Sequence, residues 1–341
     1  MAPGDRMAAE MAEQPAVLGA LAARRDEIEA TLQPVTGRIP VGIVLAARGS
    51  SDHAAVYGRY LLELVTGRPV ALAAPSLVTR YGVRGDLRGW LAVGVSQSGR
   101  TPEVAGVLER LGGAGATTVA ITNDEASPLA AVADATIATR AGKELAVPAT
   151  KTFTAQVVAF ALLAEALGDV PWEPAAWAAL AATVAEVLAD PAPARMAAER
   201  IGAAPAMVVV ARGLLLAAAL EAALKLKEVT GMLAEGFSAA DLRHGPVAVV
   251  GPDFPVLALS GGGPAADDVA ALVEELRERG GAVQVASAAA GAALPVPSGT
   301  PEGLAIIPVV VRAQQLAREL GLLRGVDPDA PFALSKVTAT R

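Results

Sequence analysis

The chain has 341 residues, no cysteine and a formal net charge of −7, and 53% of its residues are hydrophobic. This length predicts two domains with ample cores, and the absence of cysteine excludes disulfides, thiolate metal sites and cysteine nucleophiles. The negative charge argues against a nucleic-acid partner, which would require clustered Lys and Arg. The first residues lack the apolar core of a signal peptide and charges interrupt the longer apolar stretches, so we expect a soluble, cytoplasmic protein that does not enter a membrane.

In chain order, the pattern predicts a helix with Pro15 in its first turn, followed by short apolar strands alternating with helices. The strands of the first half are expected near 41–47, 70–73, 90–95, 117–121 and 135–139. Two prolines in 190–195 interrupt helical sequence and predict a seam between two domains, 1–192 and 193–341. The later strands are expected near 206–211, 255–259, 282–286 and 304–309. Such alternation predicts an α/β fold with two tandem Rossmann-like, flavodoxin-type parallel-sheet domains.

An internal repeat supports this organisation. Residues 43–67 and 207–231 match without a gap at an offset of 164, which persists from Ser96 to Ser260. The sequence therefore predicts a duplication of one α/β unit. The copies differ at their turns, because Gly49-Ser50-Ser51 becomes Gly213-Leu214-Leu215, and SQSGRT after the third strand becomes Ser260 and three glycines. We expect the first copy to hold an anion and the second copy not to.

Polar residues are concentrated where the third predicted strand ends. Ser96, Ser98 and Thr101 supply three hydroxyls and Gln97 supplies an amide. In a parallel sheet this position is the carboxyl edge, where hydroxyls and the N–H groups of the next helix can donate to a phosphate. The alternative is an ordinary helix cap, which needs a single Ser or Thr. Neither a Gly-Lys-Ser/Thr ending nor a dinucleotide fingerprint is present, so no nucleotide cofactor is expected.

A charged helix face follows in the second copy. Glu221, Lys225 and Glu228 share one face, although this spacing by itself is more typical of a solvated charged stripe. His244 lies in the next polar loop, before a Gly-Pro turn, and is a candidate for proton transfer. With two histidines and no cysteine, no metal is expected. Glu and His together can supply a base and an acid–base group for proton transfer without a metal. A serine hydrolase fits less well, because no Gly-x-Ser-x-Gly elbow is present.

Several motifs carry a family resemblance: RGSSDHA (48–54), SQSG (96–99), ATKTFT (149–154), LEAALKLKE (220–228), AEGFSAADLRHGP (234–246) and the tail from Asp327 to Thr338. On these motifs the chain resembles the sugar isomerase (SIS) domain family over nearly its whole length. It is most similar to the isomerase portion of glucosamine-6-phosphate synthase and to stand-alone glucosamine-6-phosphate deaminases.

The resemblance implies roles for individual residues. Glu228 would move a proton between C1 and C2, Lys225 would lie beside these carbons, and Lys336 would close over the substrate and form an imine with the open ketose. His244 would open the ring, reaching the site of a neighbouring subunit in a homodimer with shared active sites. The phosphate would be bound by Ser51, Ser96, Gln97, Ser98 and Thr101, and the sugar by Gly49 and Val147.

The predicted function is the conversion of glucosamine 6-phosphate, or a related amino-sugar phosphate, to fructose 6-phosphate and ammonia. A synthase of this family needs an N-terminal glutaminase with a catalytic cysteine, and the chain has no cysteine. Two alternatives remain: phosphosugar isomerisation without deamination, and a sugar-phosphate-binding regulator without catalysis. The presence of Glu228, His244 and Lys336 together counts against the regulator.

Overall fold

The structure is a computed structural model that describes residues 2–332 and 334–336. Within that part of the chain, ten strands are present: β1 (Gly42–Ala46), β2 (Val70–Leu72), β3 (Trp90–Ser96), β4 (Thr117–Thr122), β5 (Ala135–Ala138), β6 (Ala206–Ala211), β7 (Leu233–Ser238), β8 (Pro255–Leu259), β9 (Ala282–Ser287) and β10 (Leu294–Pro295). Val337 and Thr338 of the tail motif lie outside the described residues.

The helices of the described residues alternate with these strands. They are α1 (Asp5–Ala12), α2 (Gln14–Ala23), α3 (Arg25–Thr36), α4 (Ser50–Thr66), α5 (Pro75–Thr79), α6 (Pro102–Gly113), α7 (Pro128–Ala131), α8 (Lys151–Leu167), α9 (Ala175–Ala189), α10 (Ala192–Ile201), α11 (Leu216–Thr230), α12 (Ala239–Arg243), α13 (Ala266–Glu278) and α14 (Glu302–Leu323). Pro15 lies in the first turn of α2, as predicted. None of the described helices is by itself both long and apolar enough to cross a membrane, and only the bent pair α9 and α10, taken together, meets that criterion.

The strands form two five-stranded parallel sheets with the same strand order. The first sheet has the order β2-β1-β3-β4-β5 and the second β10-β9-β8-β6-β7, which is the same sequence of strands read from the other edge. The registers also match, because Ile43 pairs with Val70 and Met207 pairs with Ala234, residues 164 positions apart in each case. The order is that of a flavodoxin-like sheet. The predicted fold class and the duplication are confirmed.

The chain divides into two compact units, each with one sheet. The first-copy unit contains Ala16–Glu144 and Lys151–Glu173, and the second-copy unit contains Met1–Pro15, Leu145–Thr150 and Pro174–Lys336. Pro191 lies between α9 and α10 as the N-cap residue of α10, and Pro193 lies in the first turn of α10. The domain boundary between residues 192 and 193 stays a prediction.

Each sheet has a core of aliphatic side chains against its helices. In the first-copy unit, Val44 of β1 and Ala92 of β3 pack with residues of α6 such as Leu108. In the second-copy unit, Val208 of β6 and Val256 of β8 pack with residues of α13 such as Leu272. Because helices cover both faces of a parallel sheet, its central strands read as continuous apolar runs, which is why the sequence located them.

One predicted strand is wrong, and two strands of the structure, β7 and β10, were not predicted. Residues 304–309 lie inside α14, a helix buried along most of its length. A helix that is apolar all round shows the same short apolar run as a buried strand, so the run alone does not separate them. The missed strand β7 contains Glu235 and Gly236, which break an apolar pattern. The repeat would have located it, because the offset of 164 carries the strand predicted at 70–73 onto 234–237.

Candidate functional site

The predicted phosphate turn lies in the first-copy unit between β3 and α6. Ser96 is the last residue of β3 and Thr101 is the N-cap of α6. Gly99 has φ +61°, and a Cβ there would meet Ser127 Oγ at 2.1 Å. The turn therefore requires glycine for both its backbone conformation and its packing.

Hydrogen bonds hold the hydroxyls of this turn in place. Ser96 Oγ accepts from the Gly99 N–H (3.1 Å) and lies 3.2 Å from Thr101 Oγ1, while Ser98 Oγ accepts from the Arg100 N–H (3.2 Å). Accepting a hydrogen bond does not use the hydroxyl's own hydrogen, and the Ser96–Thr101 pair uses one hydrogen of its two. The Ser98 hydroxyl and one of this pair therefore keep a hydrogen to donate to an anion.

Arg100 turns away from this cluster of hydroxyls. Its Nη2 contacts Asp124 Oδ2 at 2.8 Å, just beyond β4. Hydrogen bonds from the Ala126 N–H and from Arg100 hold the pKa of Asp124 below its usual range. The Arg100 charge is thus held by a carboxylate, and the turn itself presents hydroxyls and amides.

The second predicted contact, the turn after β1, lies at the same sheet edge. β1 and β3 are adjacent and parallel, so their carboxyl ends meet there. Gly49 has φ +59° with no atom within 4 Å of a Cβ position, which leaves open space beside the turn. Ser51 lies in the first turn of α4, is only 8% exposed, and accepts from Gln156 Nε2 of α8 at 3.0 Å. The five predicted phosphate residues therefore follow two neighbouring strands.

The equivalent edge of the second-copy unit carries a carboxylate. A Cβ on Gly263 would come within 2.1 Å of Glu302 Oε2, and one on Gly213 within 3.9 Å of Glu302 Oε1, so this carboxylate lies beside both glycine turns. Burial raises the pKa of Glu302. A cavity of about 1010 Å³ opens next to it, lined by Ser260, Gly261 and residues of α13. An internal carboxylate therefore occupies the edge at which the second copy has lost its hydroxyls.

The charged face of α11 is buried. Glu221 is 0% and Lys225 1% exposed, and the side chain of Glu228 is 21% exposed. Lys225 Nζ lies 3.5 Å from Glu221 Oε1 and makes a short ion pair with Glu228 Oε2. The interpretation of a solvated stripe is wrong for Glu221 and Lys225. One ammonium is thus shared by two carboxylates, of which only Glu228 reaches a partly open surface.

His244 and Lys336 occupy different surroundings in the second-copy unit. His244 follows α12 as its C-cap residue and is exposed, so its ring is presented to solvent. Lys336 is half-buried at the end of the described tail. The structure places both in the same unit as the α11 cluster, while the predicted phosphate residues belong to the first-copy unit.

Val147 lies in a segment that the tail and α1 hold. Its N–H donates to the Asp329 carbonyl oxygen at 3.1 Å, which leaves the Val147 carbonyl as the main-chain group for the predicted sugar contact. Glu10 of α1 accepts from the N–H groups of the neighbouring Leu145 and Ala146. The sequence assigned no structural role to Glu10, Glu221 or Asp329. Asp329 was within the recognised tail motif, whereas Glu10 had no signal beyond its charge.

Two doubly wound parallel sheets in tandem define a duplicated α/β protein with flavodoxin-like strand order. The model of the SIS domain matches residues 42–166 and 201–291, and the chain belongs to this family. It is 33% identical over 97% of its length to the glutamine–fructose-6-phosphate aminotransferase (isomerizing) of Gloeobacter violaceus, and covers 58% of that protein. The chain thus spans little more than half the length of this curated relative.

Two solved structures share the fold along nearly the whole chain. A candidate phosphosugar isomerase from Silicibacter pomeroyi DSS-3 has a TM-score of 0.85 and 34% identity, with 95% of this chain and 99% of that one covered. The glucosamine-6-phosphate deaminase of Thermotoga maritima has a TM-score of 0.73 over 95% of this chain and 99% of that one; at 23% identity it shows the fold alone.

Proposed function

We propose that the protein is a phosphosugar aldose–ketose isomerase that releases ammonia from an amino-sugar phosphate, with glucosamine 6-phosphate as substrate and fructose 6-phosphate as product. The observation that carries the proposal is the buried Glu221–Lys225–Glu228 cluster, in which a single partly exposed carboxylate is ion-paired to a lysine. The names of two relatives above 30% identity, an isomerizing aminotransferase of fructose 6-phosphate and a candidate phosphosugar isomerase, support the same substrate class.

In the proposed mechanism each group moves one proton or binds one part of the substrate. His244 opens the ring by proton transfer at the ring and C1 oxygens. Glu228 then takes the proton from C2 and returns it to C1, while one proton passes from the C2 ammonium to the C1 oxygen. The C1 aldehyde and C2 ammonium thereby become a C1 alcohol and a C2 iminium. Water adds to C2 and ammonia leaves, so that the ketose remains. Lys336 supplies an amine that can form an imine at the same carbon.

The phosphate is assigned to the first-copy unit. Donors for the phosphate come from the hydroxyls of Ser98 and of the Ser96–Thr101 pair, from the Gln97 amide and from the N-terminus of α6. Such donors can bind an anion without a positively charged side chain. Ser51 donates from the neighbouring turn, beside Gly49. The Glu302 carboxylate gives the physical reason for excluding the phosphate from the second copy, because it would repel a second anion there.

The experiment that tests the function is a panel of amino-sugar and keto-sugar phosphates assayed for ammonia and for isomerised product. We expect ammonia from glucosamine 6-phosphate at a rate proportional to enzyme. Isomerised product without ammonia would show that the protein is a phosphosugar isomerase and not a deaminase. Tight binding without turnover would identify a regulator. We also propose a cytoplasmic location, in keeping with a chain without cysteine.

A further inference from the structure

The N-terminus of α1 is capped by the tail of the chain. Its N-cap residue is Gly4, which has no side chain for this purpose. The N–H groups of Arg6 and Met7 donate instead to the two carboxylate oxygens of Asp329, at 3.0 and 2.8 Å, and Asp329 is only 8% exposed. Free N–H groups in the first turn of a helix are unfavourable when buried, so this carboxylate supplies a cap that the local sequence lacks.

The same helix holds the segment around Val147. Glu10 of α1 is 5% exposed, and its carboxylate accepts from the N–H groups of Leu145 and Ala146, the latter at 3.2 Å from Oε2. The next residue, Val147, donates its N–H to the carbonyl oxygen of Asp329. Asp329 therefore binds the helix with its side chain and the Val147 segment with its main chain.

These contacts form a closed loop of three segments that are far apart in sequence. The helix contacts the segment through Glu10, the segment contacts the tail through Val147, and the tail contacts the helix through Asp329. The tail also contacts the start of the helix through Asp327 Oδ1, which accepts from the Gly4 N–H at 3.0 Å. A network of this kind fixes the relative position of its members more narrowly than a pair of contacts does.

We propose that Asp329 is a positioning residue for the reaction. It ties the tail that carries Lys336 and the segment that carries Val147 to one helix, so that both substrate contacts are presented preassembled. The proposal rests on the proposed function of Lys336 and Val147. A misplacement of about 1 Å in a reacting group can cost on the order of 10²-fold in rate, so a fixed tail is worth a large factor in turnover.

The test compares Asp329→Ala and Asp329→Asn with Arg324→Ala. Arg324 follows α14 and donates to the carbonyls of Gly202 (3.0 Å) and Ala204 (2.6 Å), so its loss removes two hydrogen bonds without touching the three-segment network. We expect Asp329→Ala to lower kcat at least about 10-fold with a much smaller change in KM. Asp329→Asn keeps one acceptor oxygen and should recover part of the loss, and Arg324→Ala should keep kcat.

Amide hydrogen exchange gives a readout that does not depend on activity. In Asp329→Ala the amides of 145–147 and of Arg6 and Met7 should exchange faster, while in Arg324→Ala they should exchange as in the unchanged protein. If Asp329→Ala does not fold, Asp329→Asn and Glu10→Gln carry the same comparison.

The outcomes separate this inference from the proposed function. Normal kcat in Asp329→Ala, or an equal loss in Arg324→Ala, would overturn the positioning role. If the unchanged protein turns over no sugar phosphate, the proposed function fails, and the exchange data still decide whether Asp329 couples the segments. Unchanged exchange at 145–147 in Asp329→Ala would then overturn the coupling itself.

Discussion

Glu221, Lys225 and Glu228 show how burial changes the meaning of a charged helix face. Two carboxylates share one ammonium, and both Glu221 and Lys225 are fully buried. A buried ion pair recovers its desolvation cost only while both partners remain, so each residue depends on the other. The third member, Glu228, has both a fixed partner and access to solvent, which is the combination that a proton-transfer group needs.

The buried pair predicts a large stability effect at Lys225. Lys225→Met leaves the Glu221 carboxylate buried without its ammonium, and we expect a loss of about 3–5 kcal/mol in the free energy of unfolding. Adding Glu221→Gln to the same chain removes the uncompensated charge and should restore part of the loss. Denaturant unfolding of the single and double variants measures the coupling, and a double variant less stable than Lys225→Met would contradict it.

Glu228→Gln tests the proposed carbon base. The change is nearly isosteric but removes the only group assigned to take the C2 proton, so kcat should fall by about 10²- to 10⁴-fold. KM should change little, because the phosphate contacts are assigned to the first-copy unit. Solvent deuterium should no longer enter the sugar at C1 and C2.

The matched control for this variant is Glu235→Gln. Glu235 lies in β7, is exposed, and pairs with Lys227 at 3.6 Å. It should keep normal turnover. A Glu228→Gln enzyme with near-normal turnover and exchange would remove Glu228 from the mechanism.

At the scale of the elements, two glycines with similar positive φ angles differ in how closely other atoms pack against them. Gly99 and Gly67 have φ +61° and +63°, but only Gly99 has atoms close to a Cβ position. We expect Gly67→Ala to cost about 1 kcal/mol of unfolding free energy, the left-handed penalty alone. Gly99→Ala adds a clash with Ser127 and Thr122 and should cost about 3 kcal/mol or more. Equal losses in urea unfolding would show that the phosphate turn relaxes around the new side chain.

Glu302, in the first turn of α14, predicts how the stability of the folded protein changes with pH. Burial raises the pKa of Glu302, so the folded protein binds this proton at pH values where the unfolded chain, with an ordinary value near 4.5, has lost it. Stability from this group therefore falls as pH rises from about 4.5 through the raised pKa. Glu302→Gln removes this dependence, and its stability relative to the unchanged protein should be greater at pH 8 than at pH 4. Urea unfolding at pH 4, 6 and 8 checks the sign.

At the scale of the whole molecule, the repeat made most of the fold predictable. The offset of 164 reappears in the pairing of Ile43 with Val70 and of Met207 with Ala234, because a duplicated unit repeats its register together with its sequence. The run at 304–309 was misassigned because residues 303–311 of α14 are apolar on every side of the helix and so show no distinguishing period. The available signal was the stretch after Pro308, because residues 309–320 contain no Gly, Pro, Asn, Asp or Ser.

The candidate site was only partly predictable from sequence. Hydroxyls at a strand end and charges on one helix face lie close together in the sequence. The turn at Ser96–Thr101 and the α11 cluster could therefore be predicted. The carboxylates of Glu10 and Asp329 accept from main-chain N–H groups more than 100 residues away. A hydrogen bond to a main-chain amide places no demand on the identity of the residue that donates it, and for this reason no spacing records it.

The last prediction concerns a homodimer in which His244 serves the neighbouring subunit's site. Mixing Glu228→Gln with His244→Ala chains would then form hybrids with one intact site, and random pairing should restore about a quarter of full activity. The exposed position of His244 at the end of α12 leaves its ring available for such a contact. As a control, Glu228→Gln is mixed with a chain carrying both changes, because none of those hybrids contains an intact site. Subunit exchange that is complete but restores no activity in the first mixture would assign His244 to the site of its own chain.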